Sequence, residues 1–412
     1  MSNLITLDAF KWGIFGFLYV VTSTAFAVST TAEPANFSQC VEGLKQRALS
    51  ERISQAVVDN DLAGVNFVRR VIELDRKQPE FSQTFYNYYS QRVTKARVQM
   101  GQELLKKHQS LLNKLNQKYG VPPQYLIAFW GMETNFGRYL GKMNVLDSLA
   151  TLACDPRRSE FFTLELFEAL RLIDAGIVSG TQMRGSWAGA MGNMQFMPSA
   201  YRRYALDADQ DGRIDLWGSL PDAFTSAANY LQQIHWKRGW RWGREVSLPK
   251  SFDYSLAGRN KPKPIKAWAA MGVKQSNGER LPDLDEPAAL VVPAGHNGPA
   301  FLVYDNFHVM LKWNLSEFYA LSVGILADQI KTGMGLKVSP PKQDPLSIET
   351  IKKLQMALNL LGHDAGDVDG VFGSNTKRAL RTFQKANNLI ADGYPSDETL
   401  KSLHHLAKIQ VQ

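Results

Sequence analysis

An apolar helix that ends on one carboxylate constrains this chain more than any other feature. The phrase Gly131-Met-Glu-Thr-Asn-Phe-Gly137 completes a segment in which Leu126, Ile127, Phe129, Trp130 and Met132 surround Glu133 at helical spacing. Phe129 and Trp130 stand four and three residues before Glu133, so all three share a face. A carboxyl against such a face loses hydration, which disfavours its charged form and raises its pKa. That is the property a general acid needs near neutral pH. Gly137 is expected to cap the helix. The plainer alternative is a helix-end glutamate pointing into water.

A second phrase about fifty residues on weighs against the plainer alternative. In Ser186-Trp-Ala-Gly-Ala-Met-Gly-Asn-Met-Gln-Phe-Met-Pro-Ser199, Gly189, Ala190 and Gly192 carry almost no bulk. Another chain segment or a ligand can therefore approach the backbone closely. Ser186, Asn193 and Gln195 supply the few polar groups a binding surface needs. Tight packing explains the small residues but not Gln195 between Met194 and Phe196.

Bulk properties set the compartment. The chain has 412 residues, 44% of them hydrophobic and 21% charged, enough for two or three globular domains. Residues 1–32 read as a secretory signal, with an uncharged apolar run over 12–21 and Ala25-Phe-Ala27 as cleavage signature. Its basic end is weak, because Lys11 is opposed by Asp8, so a retained anchor and a loose membrane association stay open beside soluble export to the periplasm. No cysteine is placed for lipidation. Cys40 and Cys154 either close one long loop as a disulfide or stay as two buried thiols, since pairing needs Cα atoms within about 7 Å. The net charge of +8 suits a polyanionic surface such as a cell wall or anionic lipid. No basic block with interleaved aromatics points to nucleic acid, and none is expected as a partner.

Residues 36–119 read as helices, including one long helix through Phe85, Tyr89, Val93 and Val98. Gly120-Val-Pro-Pro123 stops one helix and starts the next. Short β-like runs at Val246-Ser-Leu-Pro249, Ala288-Ala-Leu-Val-Val-Pro293 and Ala300-Phe-Leu-Val-Tyr304 suggest a small β-subdomain over about 245–304. Helix is expected again over 307–330. Glycines and prolines make 331–346 an interdomain linker. An internal repeat follows in 347–408. Asp369-Gly-Val-Phe-Gly373 with Thr376 parallels Asp392-Gly-Tyr-Pro-Ser396 with Thr399, and Leu354-Gln355 or Phe383-Gln384 precedes each. Such a module is small and all-α, and binding is its expected task. The expected fold class is mainly α, with a small inserted β-subdomain in an α+β catalytic domain (36–330) and an all-α C-terminal module.

These phrases resemble the signature of the B-type lytic murein transglycosylases. The resemblance covers roughly 37–330 and includes Glu133-Thr-Asn-Phe-Gly137, Ser186-Trp-Ala-Gly-Ala-Met-Gly192 and Gln195-Phe-Met-Pro-Ser199. Gln78-Pro-Glu-Phe81, Leu149-Ala-Thr-Leu152, Ala227-Ala-Asn-Tyr230 and Trp313-Asn-Leu-Ser316 match in order as well. The resemblance implies a lysozyme-like fold, peptidoglycan glycan strands as substrate and Glu133 as acid and then base. It implies substrate-positioning roles for Ser186, Gln195 and Asn314, and a chemistry that needs no cofactor. Ordinary glycosidases pair two carboxylates. Here no second acid is evident, and Glu165 and Glu168 read as solvated. A water-adding muramidase and a non-catalytic wall-binding protein are the rival readings. The C-terminal repeat resembles the peptidoglycan-binding domain of wall hydrolases, and a monomer is expected.

Asp207-Ala-Asp-Gln-Asp-Gly-Arg-Ile-Asp215 fits the start of an EF-hand loop. Asp207, Asp209 and Asp211 take positions 1, 3 and 5, with the Arg213 carbonyl at 7. Gly218 stands where the bidentate glutamate belongs, and Asp222 could substitute in a longer loop. The expected ion is a structural Ca2+. An Asx-rich turn without metal is the alternative. Trp236, Trp240 and Trp242 are expected to pack rather than to stack on sugars.

Overall fold

The computed structural model describes residues 36–76 and 83–411. The signal segment and Gln78-Pro-Glu-Phe81 lie outside the described residues. The described residues are mainly helical, with a two-stranded antiparallel ribbon, Met143–Asn144 with Arg184–Gly185, and a larger antiparallel sheet inserted before the last helices of the main body. Among the described residues, no helix is long and apolar enough to cross a membrane.

The single long helix expected after Phe85 is two helices, Phe85–Arg92 and Lys95–Lys107. Thr94 interrupts it by capping the second helix, its hydroxyl accepting from the Arg97 amide. Gln109–Tyr119 follows and ends at Gly120, whose φ of 78° is the left-handed stop that glycine adopts without strain. Pro123 then opens Pro123–Thr134, which is buried nearly all round. It packs against Lys95–Lys107, Gln109–Tyr119 and Glu317–Thr332. A helix apolar on every side is stable only inside a large core.

Cys40 and Cys154 form a disulfide, with Cα atoms 5.9 Å apart and a sequence separation of 114. It ties the first helix, Phe37–Ser50, to the end of Val145–Ala153. Loop-closure entropy alone assigns about 4.7 kcal/mol to a loop of roughly this length.

The β-like runs pair as a five-stranded antiparallel sheet in the order Lys263–Pro264, Pro287–Val291, Ala300–Val303, Gly243–Ser247, Lys274–Gln275. Alternation explains why its central strands read as continuous apolar runs. Leu290 and Leu302 face a local core with Trp268, while Ala289, Val291, Phe301 and Val303 face the main core.

The helix expected over 307–330 is likewise two, Asp305–Trp313 and Glu317–Thr332. Ser316 caps the second through the Tyr319 amide. The Gly/Pro-rich stretch beyond is strapped to the body, because the Glu245 carboxylate accepts from the amides of Lys337 and Val338, both at 2.8 Å. The C-terminal module is three helices, Ile348–Leu360, Ser374–Ala386 and Asp397–Val411.

Candidate active site

Glu133 occupies the last turn of Pro123–Thr134. The helix stops at Asn135 rather than at the expected Gly137: Asn135, Phe136 and Gly137 all adopt positive φ, at 51°, 62° and 77°. The Asn135 amide closes on the Trp130 carbonyl. Two consecutive non-glycine residues in this region are costly and persist only where surrounding contacts hold them. The hold comes from the second phrase. Thr134 donates its hydroxyl to the Asn193 carbonyl at 2.9 Å, and the Trp130 indole donates to Asn193 Oδ1 at 2.8 Å. Asn193 is thus a buried tie between the two phrases, not the surface polar group expected of it. Its amide nitrogen is spent on the carbonyls of Leu216 and Trp217.

The Glu133 carboxyl has two protein donors, both on Oε1. Trp313 Nε1 donates at 2.9 Å and the Tyr319 hydroxyl makes a short bond to the same oxygen. The break between Asp305–Trp313 and Glu317–Thr332 brings these two residues to the same carboxylate. Oε2 receives no hydrogen bond from a described residue, and Glu133 is only half-buried. Burial pushes the carboxyl up to about 7, while the two donors pull the other way. Burial and the adjacent Glu133 hold the Tyr319 hydroxyl well above its usual range, so it stays a donor.

Aromatic rings enclose this carboxyl. Trp313 lies on Phe129 with ring centroids 4.6 Å apart, on Tyr230 at 5.0 Å and on Phe196 at 5.6 Å. The expected apolar face is therefore present, with one amendment. Phe129 supports it through Trp313, whereas Trp130 turns to Phe136 and Phe224 in the core.

Of the expected positioning residues, Ser186 closes its own loop, its hydroxyl accepting from the amides of Ala188 and Ala190 at 3.3 and 3.0 Å. Gln195 sits at φ 49°, with its amide nitrogen on the carbonyls of Leu140 and Gly192 at 3.2 and 2.9 Å. Its Oε1 takes no hydrogen bond from a described residue. Asn314 Oδ1 accepts from the Ser316 amide at 3.0 Å. The neighbour Trp313, not Asn314, bonds Glu133. Trp313 lies inside a phrase that carries the family resemblance, but nothing in the local pattern marks Tyr319. The small residues serve the chain's own approach: a Cβ on Gly192 would stand 2.6 Å from the Leu216 carbonyl oxygen, and one on Gly189 2.6 Å from Leu149.

Glu165 and Glu168 are not solvated. Glu165 is 6% exposed, and its two oxygens accept from the Ser199 hydroxyl at 2.7 Å and the Ser199 amide at 3.0 Å. Burial raises its pKa. Glu168 is paired with Arg171 and Arg202. Charge alternation along Ser159–Asp174 hides this, because Ser199 arrives from a distant helix start.

Carboxylate oxygens of Asp207, Asp209 and Asp211 lie within 4.8 Å of one another. Three hard oxygen donors in that span fit Ca2+. Asp222 stands apart from this set. It is 1% exposed, and its oxygens accept from the amides of Ala208 and Asp215, both at 2.8 Å, so it shapes the loop from beneath. Arg213 contributes its amide to Asp211. Trp236 and Trp242 are buried and Trp240 packs on the sheet's core, as expected.

The model of the transglycosylase SLT domain matches residues 36–328. The chain belongs to the SLT transglycosylase family. The model of the peptidoglycan binding domain matches residues 347–403. The structure of SltB3 from Pseudomonas aeruginosa in complex with NAG-anhNAM-pentapeptide is 43% identical, with TM-score 0.85 over 90% of this chain and 100% of that one. The Escherichia coli lytic transglycosylase Slt35 in complex with calcium is 29% identical, with TM-score 0.61 over 73% of this chain and 94% of that one. The membrane-bound lytic murein transglycosylase B of E. coli K12 is 33% identical over 249 residues, which is 59% of this chain. This chain spans 66% of that relative's length.

Proposed function

We propose that the protein is an exported lytic transglycosylase of the periplasm. It cleaves the β-1,4 bond between N-acetylmuramic acid and N-acetylglucosamine in peptidoglycan without consuming water. The observation that carries this reading is one half-buried, desolvated carboxyl, its pKa raised to about 7, with both donors from the described residues on Oε1 and none on Oε2. Near neutrality a substantial fraction of Glu133 is protonated. From Oε2 it gives its proton to the glycosidic oxygen as the bond breaks, and the substrate's 2-acetamido group stabilises the cationic carbon. The new carboxylate, steadied by Trp313 and Tyr319, then takes the proton from the muramoyl C6 hydroxyl as that oxygen closes the 1,6-anhydro ring. Atoms balance without water. That SltB3 is described in complex with an anhNAM-containing fragment supports this chemistry.

Gln195 and Asn314 are assigned to holding the saccharide, Gln195 through its open Oε1. Ser186 acts indirectly, by fixing the loop that precedes them. A structural Ca2+ would be held by Asp207, Asp209, Asp211 and the Arg213 carbonyl, a reading supported by the calcium complex of Slt35. Residues 347–408 would tether the enzyme to its polymer, which raises its local concentration there.

The test is digestion of purified peptidoglycan by the wild type and Glu133→Gln, with mass spectrometry of the fragments. Anhydro ends, lighter by one water, are expected from the wild type alone. Hydrated ends, or equal digestion by the variant, would overturn the assignment.

A further inference from the structure

The two halves of the C-terminal repeat share one hydrogen-bond frame. In the first, Gln355 Nε2 donates to Asp369 Oδ1, the Val371 carbonyl and Thr376 Oγ1, and the Gly370 amide returns to Gln355 Oε1. In the second, Gln384 makes the same four bonds with Asp392, Tyr394, Thr399 and Gly393. Gly370 and Gly393 adopt matching φ values of 79° and 73°. The two sites are therefore near copies, and what one binds informs what the other can bind.

The second copy is occupied by the chain itself. Asp392 Oδ2, outside the frame, accepts from the His296 amide at 2.8 Å and meets His296 Nδ1 at 2.7 Å. Arg381 donates to the Ala257 carbonyl at 3.2 Å. Tyr394 lies against Gly295, where an added Cβ would stand 2.7 Å from the tyrosine. The occupant is a peptide: an amide N–H meets a carboxylate, a carbonyl meets a cation, and a glycine backbone lies on a side chain.

The first copy presents the corresponding groups, and no segment of the described chain is hydrogen-bonded across them. Asp369 Oδ2 receives no hydrogen bond from another described residue. Lys352 stands at the position of Arg381 and is exposed, its Cε 3.3 Å from where a Cβ on Gly370 would be. Val371 replaces Tyr394 at 46% exposure, and Ile348 beside Gly370 is 64% exposed.

We infer that Asp369, Lys352, Val371 and Ile348 form a binding site for a short peptide strand, which under the peptidoglycan reading is the stem peptide and not the glycan. A stem amide donates to Asp369 Oδ2, a stem carboxylate or carbonyl accepts from Lys352, and alanine methyls lie on Val371 and Ile348. This rests on the proposed function above.

The experiment uses the full chain carrying Glu133→Gln, so that the polymer survives, with two probes: purified sacculi, and the same glycan stripped of its peptides. Asp369→Asn keeps the Oδ1 acceptor that Gln355 needs and replaces Oδ2 by a donor. Lys352→Glu reverses an exposed charge and leaves the frame intact. Each is expected to weaken binding to sacculi by about fivefold, the size of one partly exposed charged hydrogen bond. Neither should change binding to stripped glycan, nor the turnover of a stripped glycan when placed in the active enzyme. Should Asp369→Asn fail to fold, Lys352→Glu carries the test alone. Sacculus binding equal to the parent's overturns the site, as does an equal loss on both probes. A parent that binds neither probe would instead count against the peptidoglycan reading itself.

Discussion

Two desolvated carboxyls, the half-buried Glu133 and the buried Glu165, show how a shared loss of hydration leads to different chemistry. Burial raises the pKa of both. Glu165 has each oxygen occupied by Ser199, so it is a fastener that pins the start of Pro198–Tyr204 to Ser159–Asp174. Glu133 has both donors from the described residues on one oxygen and none on the other. A carboxyl with a free oxygen can pass a proton; one with none is committed to the fold.

The contrast can be broken most directly at Glu133. Glu133→Gln should cut anhydro-product formation by roughly 10²–10⁴-fold, the range of general acid–base catalysis, with the fold retained by circular dichroism. Glu165→Leu should do the reverse. It leaves the Ser199 amide and hydroxyl unpaired, so stability in urea should fall by about 1–3 kcal/mol, and Glu165→Gln should restore most of it. If Glu165→Leu abolished turnover with an unchanged urea midpoint, the fastener role would be wrong.

A pH series sharpens the same contrast. Glu133 binds its proton more tightly folded, at about 7, than at its ordinary 4.5. Its contribution to stability is therefore complete below pH 4.5 and declines as pH rises through 7, by about 3 kcal/mol in all. Glu133→Gln should lack this decline, giving it a relative gain at pH 8 over pH 4. Identical pH–stability curves would show that the carboxyl is not perturbed. Tyr319→Phe removes a donor that favours the carboxylate, so the falling alkaline limb of kcat should move to higher pH, with roughly tenfold lower kcat. An unmoved limb would remove Tyr319 from the site.

The smallest effect on turnover concerns the aspartate cluster, far in role from both acids. Ca2+ at 100 times its Kd should stabilise the protein by about 2.7 kcal/mol, read as a rise in Tm that Asp209→Asn abolishes. Turnover at 25 °C should not change. A Ca2+-dependent kcat would mean that the loop reaches the active site.

Much of the fold and of the site is legible in the amino-acid order alone. Glu133 at the end of an apolar helix, the stop at Gly120 and the Asp-Gly repeat all follow from local spacing, whereas the role of Asn193 as a buried tie does not. The departures share one cause. Thr94 and Ser316 cap helices inside segments whose apolar periodicity runs on, and a capping hydroxyl is a weaker signal than the periodicity around it. Glu165 reads as solvated because its neighbours in sequence are charged, whereas its partner Ser199 is a neighbour only in space. Asp222 reads as a ligand by spacing, yet its carboxylate does not join the cluster that Asp207, Asp209 and Asp211 form.

By itself, then, the sequence determined which residues could be acid, turn and repeat, because those depend on short-range sterics and on periodic burial. Only the tertiary structure decided which oxygen of Glu133 is free, that Trp313 and Tyr319 converge on the other, and that one half of the repeat is covered while its twin is open. Those outcomes depend on donors and surfaces brought together from distant segments, and no local pattern encodes the distance between them.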